Sequence, residues 1–136
     1  MIHAKRLNHL AVVVDDIEAA LVFWRDGLGM EVDRVQEVVE QQATVAFLPL
    51  GDSDIELVRP TTEDSGIARF LGKRGPGMHH ICLEVDDLDT LLERLKGMGM
   101  RLINPEPVAG AGGERVAFIH PESAYGVLVE LSQSGS

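Results

Sequence analysis

Two stretches of the chain carry the same apolar pattern and break it at the same point. Leu7 to Val14 and Met78 to Val85 are apolar and β-branched, which predicts strands. Each runs into an Asp pair, Asp15-Asp16 and Asp86-Asp87, whose carboxylates can accept the orphan N–H groups of a helix start. The predicted helices carry Ile17, Ala20, Leu21 and Trp24 in one case, and Leu88, Leu91, Leu92 and Leu95 in the other. Both sets fall at i, i+3, i+4 and i+7, a single apolar stripe. Gly27 and Gly29, then Gly97 and Gly99, are expected to end the helices by taking left-handed backbone. Three short strands are expected next in each half. In the first they span Glu31–Glu40, Gln42–Leu50 and Asp54–Val58, and in the second Arg101–Asn104, Glu114–His120 and Val127–Ser132.

The two halves are one motif written twice. His9-Leu-Ala-Val-Val-Val-Asp-Asp-Ile17 and His80-Ile-Cys-Leu-Glu-Val-Asp-Asp-Leu88 match at an offset of 71 residues, and the same offset carries Val45-Ala46-Phe47 onto Val116-Ala117-Phe118. Ile55-Glu56-Leu57 matches Val129-Glu130-Leu131 at 74, so three residues are inserted in a late loop. A repeat of this kind predicts an α+β fold of two tandem βαβββ modules, packed around a shared metal-binding cleft because neither module can bury its apolar face alone. The expected organisation is a single domain over residues 1–136: a module at 6–58, a linker at 59–77 and a module at 78–132. In the linker, Ile67 to Leu71 suggests one short helix, and Lys73-Arg74-Gly-Pro-Gly77 a turn-forming tether.

Strand alternation then separates core positions from candidate chemistry. Leu10, Val12 and Val14 should face the first helix stripe, leaving His9, Ala11 and Val13 on the other face; Ile81, Leu83 and Val85 leave His80, Cys82 and Glu84 in the same way. Glu56 and Glu130 each stand between two inward-facing apolar residues. Each module thus offers one His and one Glu, and pseudo-twofold packing would converge His9, Glu56, His80 and Glu130. Two imidazoles and two carboxylates form a borderline-hard donor set for a divalent ion. Of the other histidines, His79 aligns with Asn8, His120 with Pro49, and His3 lies in the N-terminal tail.

Composition narrows the function classes. With 12 basic and 22 acidic side chains in 136 residues, the formal charge of −10 argues against nucleic acid and anionic membrane surfaces. The longest apolar run near the N-terminus, Leu10 to Val14, is far short of the roughly 20 residues of a spanning helix. Cys82, the single cysteine, cannot form an internal disulfide, and a cytoplasmic location is expected. Gly110-Ala-Gly-Gly113 lacks the Lys-Ser/Thr of a phosphate-binding loop and reads as a hairpin turn.

With its Asp-Asp-capped helix, the module resembles the vicinal-oxygen-chelate superfamily, glyoxalase-like in fold, and within it the methylmalonyl-CoA epimerase family. The similarity spans residues 6 to 132. It is carried by Asn8-His9 through Asp16, Glu40-Gln41, Val45-Ala-Phe-Leu-Pro49, Ile55-Glu56-Leu57, Met78-His-His80-Ile, Gly112-Gly113-Glu-Arg115-Val-Ala-Phe-Ile-His120-Pro121 and Gly126-Val-Leu-Val-Glu130-Leu. The resemblance implies metal ligation by His9, Glu56, His80 and Glu130; some relatives have Gln where Glu56 stands. Cobalt is the favoured ion, with manganese, nickel, zinc or magnesium as alternatives.

The same resemblance implies that Glu40 and Glu130 are the two bases of a carbon-2 epimerisation of methylmalonyl-CoA through a metal-stabilised enolate. It also implies a CoA thioester as small-molecule partner, with Lys73, Arg74 or Arg115 as candidates for its phosphates, and a homodimer. Two other functions share the fold. One is a glyoxalase-type lyase or isomerase acting on glutathione hemithioacetals; the other is a metal-free, resistance-type binding module.

Overall fold

Alternation along Ala4–Val13 builds the first strand, β1, one residue short of the predicted end. Asp16 then caps helix α1 (Ile17–Leu21), its carboxylate accepting from the Ala19 N–H at 3.0 Å. The helix widens into a π turn over Val22–Gly27, where the Leu28 N–H donates to the Phe23 carbonyl. Strands β2 (Arg34–Val38), β3 (Ala43–Leu50) and β4 (Ser53–Pro60) follow, then helix α2 (Gly66–Arg74). The second half repeats the order with β5 (Gly77–Val85), helix α3 (Leu88–Gly97), β6 (Val108–Ala109), β7 (Arg115–Ile119) and β8 (Val129–Gln133). The computed structural model describes residues 1–110 and 112–134.

The chain divides into two compact units, His9–His79 and Met1–Asn8 together with the chain from His80 on. In the first, the strand order is β2-β3-β4-β1, with β1 parallel to β4 and the rest antiparallel. Val14, Ile17, Leu21, Ala46, Leu48 and Leu57 close one core between the sheet and α1. Ala11, Val38, Ala43, Val45 and Val58 form a second apolar cluster, against which Ile67 of α2 packs. In the other unit the order is β5-β8-β7-β6, again with the first pair parallel. Leu88, Leu91 and Leu92 of α3 pack on Val85, Ala117, Ile119 and Leu131. Asp87 caps this helix, accepting from the Thr90 N–H at 3.1 Å.

Four expectations are corrected. Arg101–Asn104 is not a strand. Pro105 follows it, and the Asn104 side chain takes the Phe118 N–H at 2.9 Å, so pairing reduces to a bridge between Leu102 and Ile119 and resumes at β6. The strand expected over Glu31–Glu40 keeps only Arg34–Val38. Val39–Gln41 forms a 3₁₀ turn, closed by Gln42 at φ 53, which reverses the chain. Lys73 and Arg74 belong to the last turn of α2, where cations complement the helix dipole, and Gly75 at φ 76 ends it. Left-handed backbone is used at Gly29 and Gly99, not at Gly27 and Gly97.

The expected hairpin turn at 110–113 includes Ala111, which lies outside the described residues; beside it, the Gly110 N–H donates to the Glu114 carbonyl at 2.8 Å. Among the described residues no helix is long and apolar enough to cross a membrane.

Leu92 is 1% exposed at the centre of its core, so Leu92→Ala should cost about 2–5 kcal/mol in urea unfolding. Asp87→Ala should cost about 1 kcal/mol by removing the cap.

Candidate metal centre

The two parallel pairings set the site chemistry. In the first unit Ala11 of β1 stands opposite Glu56 of β4; in the second, Cys82 of β5 stands opposite Glu130 of β8. Each Glu therefore faces a strand neighbour two residues beyond a His on the same face. His9 Nδ1 lies 3.2 Å from Glu56 Oε2, and His80 Nε2 lies 3.1 Å from Glu130 Oε1. The antiparallel side repeats as well: Phe47 stands opposite Glu56, and Phe118 opposite Glu130. The Phe118 ring meets the His80 imidazole edge-on, 5.6 Å between centroids.

Glu130 is 9% exposed, and a carboxylate so buried must be compensated by hydrogen bonds or positive charge. In each unit an imidazole meets the carboxylate, providing one nitrogen and one oxygen donor of the kind that divalent first-row ions take. Cys82, on the same strand face as His80, is 2% exposed, with its Sγ within 4.8 Å of a Glu130 carboxylate oxygen.

The other candidates fall elsewhere. Glu40 is exposed in the 3₁₀ turn after β2, and its carboxylate makes no hydrogen bond or ion pair among the described residues. His79 packs edge-on against Phe70 of α2, and His120 Nδ1 accepts from the Glu122 N–H at 3.0 Å, a turn role. The Arg115 guanidinium is committed to Asp89 through two 2.9 Å hydrogen bonds, which hold the Asp89 carboxyl below its usual range. Sequence reasoning missed Arg34, whose guanidinium lies 3.8 Å above the Phe47 ring while hydrogen-bonding Asp33 and Gln36. Its alternation with Gln36 and Val38 along β2 was the available signal.

Residues 8–118 match the family profile of the glyoxalase/bleomycin resistance protein/dioxygenase superfamily. The chain belongs to that superfamily. It is 45% identical over 130 residues to the ethylmalonyl-CoA/methylmalonyl-CoA epimerase of Cereibacter sphaeroides, covering 94% of this chain and 97% of that protein. It is 44% identical over 130 residues to the mouse mitochondrial methylmalonyl-CoA epimerase, covering 95% of this chain and 73% of that protein. A variant Streptomyces coelicolor methylmalonyl-CoA epimerase, solved in complex with 2-nitronate-propionyl-CoA, superimposes with a TM-score of 0.87 at 33% identity, covering 98% and 97% of the two chains.

Protein stripped with EDTA and then titrated with cobalt should melt at higher temperature, a gain of about 2.7 kcal/mol when the free ion reaches a hundred times its Kd. His80→Ala and Glu56→Gln should each shrink that shift; a shift as large as in the parent protein would separate the His–Glu pairs from ion binding.

Proposed function

We propose that the chain interconverts (2R)- and (2S)-methylmalonyl-CoA, removing the carbon-2 proton from one face and returning one on the other. The observation that carries this reading is the His–Glu contact repeated at the same register in both units, His9–Glu56 and His80–Glu130. The naming of relatives at 44% and 45% identity as epimerases of methylmalonyl-CoA supports the substrate. In this reading His9, Glu56, His80 and Glu130 together hold one divalent ion within a single domain, with cobalt favoured. The donor set fits such an ion, since both imidazoles and both carboxylates already meet as ligand-type pairs. When bound, the ion supplies positive charge facing the substrate oxygen that gains charge as the proton leaves.

The chain's own carboxylates move the proton. Glu40, uncommitted in its turn, takes it from one face of carbon 2. Glu130, whose Oε1 lies 3.1 Å from His80 Nε2, serves the other face. The α-proton between a thioester and a carboxylate is too weakly acidic for a carboxylate base alone, so both bases depend on the charge held by the His–Glu pairs.

A homodimer also belongs to this reading, supported by the exposed apolar run of Val22, Phe23 and Leu28, and sedimentation should return twice the chain mass. The buried Cys82 and the lack of a long apolar run support a cytoplasmic location.

Deuterium incorporation at carbon 2 of single-stereoisomer methylmalonyl-CoA in D₂O tests the reading. Exchange with inversion should appear with cobalt and vanish with EDTA, and Glu40→Gln and Glu130→Gln should each slow it about a hundredfold or more. Exchange without inversion would reject the two-base scheme. No exchange with any divalent ion, alongside turnover of a glutathione hemithioacetal, would move the chain to the lyase function.

A further inference from the structure

The repeat is broken at one place, and the break exposes an aromatic ring. The offset between halves grows from 71 at Phe47 and Phe118 to 74 at Glu56 and Glu130. In the first unit the intervening connection is a tight turn at Gly51, φ 62, between β3 and β4. In the second it is a 3₁₀ turn, Pro121–Ala124, then Tyr125 and Gly126 before β8. Tyr125, the only tyrosine of the chain, has φ 57 and ψ 42, a left-handed conformation disfavoured for any residue with a Cβ. Its side chain is 100% exposed, so no burial offsets that strain.

Hydrogen bonds hold the loop beneath the ring. The Ser123 N–H donates to the His120 carbonyl at 3.0 Å, the Gly126 N–H to the Pro121 carbonyl at 2.8 Å, and Ser123 Oγ accepts from the Arg101 N–H at 2.8 Å. The loop rejoins the sheet beside a candidate ligand: the Leu128 carbonyl accepts from the N–H of Ile81, the residue after His80. Neither packing nor backbone preference accounts for a tyrosine here.

We propose that Tyr125 is the platform on which the adenine ring of the CoA substrate stacks. The proposal rests on the epimerase reading above and adds how the nucleotide end is held. Every base offers a π-face, and stacking needs no charge. That suits a chain of formal charge −10, whose Arg115 is bound by Asp89 and whose Arg101 is bound by Glu122 at 2.9 Å in this same loop. A surface of that net charge repels the diphosphate and 3′-phosphate of CoA, and a neutral aromatic grip adds binding that does not depend on cations.

The test compares methylmalonyl-CoA with methylmalonyl-pantetheine, which lacks the nucleotide. Tyr125→Gly suits φ 57 and should melt no lower than the parent protein. It should raise KM for methylmalonyl-CoA about tenfold while leaving KM for the pantetheine thioester at the parent value, and Tyr125→Phe should restore the CoA value. An equal rise for both substrates, or none for either, overturns the proposal. A parent protein that turns over neither thioester overturns the epimerase reading instead.

Discussion

A carboxylate inside an apolar strand cannot be left uncompensated, and the fold follows from meeting that demand twice. Glu130 is hemmed in by Val129 and Leu131, and Glu56 by Ile55 and Leu57. Each is met by an imidazole from the neighbouring parallel strand, which works only in one register. A slip of one residue would swing every side chain of β4 or β8 to the opposite face, putting the Glu into the helix-side core and a Leu where the His waits. The apolar stripes of α1 and α3 guard against that slip, because Leu57 and Leu131 belong to the cores beneath them.

The repeat made most of this readable before any coordinates. The Asp-Asp caps, the two helix stripes and the alternation around His9, His80, Glu56 and Glu130 depend on neighbours along the chain, and local patterns record them. What stayed hidden depends on contacts between distant residues or on backbone details. The Asn104 side chain replaces a strand partner for Phe118, and Gln42 turns the chain just beyond Glu40. Arg34 shows in the alternation of β2, but its partner Phe47 across the ladder is a pairing that periodicity alone does not name. Lys73 and Arg74 looked like a tether because glycine and proline follow them, while the cap that makes them helical, Ser65, lies upstream.

The repeats are alike in where they place His and Glu and unlike in what surrounds them. Around Glu56 stand Ala11 and Val58, while the corresponding places near Glu130 hold Cys82 and Ser132. Val13 gives way to Glu84, which binds Arg6 at 3.0 Å. One His–Glu pair has apolar strand neighbours and the other polar ones. The two carboxylates share a role in the repeat but not an environment.

The parallel strand pairs also bear on how the chain folds. The β3–β4 hairpin closes through a tight turn at Gly51 and needs only residues adjacent in sequence. Pairing β1 with β4, or β5 with β8, must first fix a helix and two intervening strands, so its loop-closure entropy falls due before any contact rewards it. His9 meets Glu56, and His80 meets Glu130, only through these late closures. A nascent or half-folded chain can hold its hairpins and helices without either His–Glu pair, so the pairs form only in a unit that has closed its sheet.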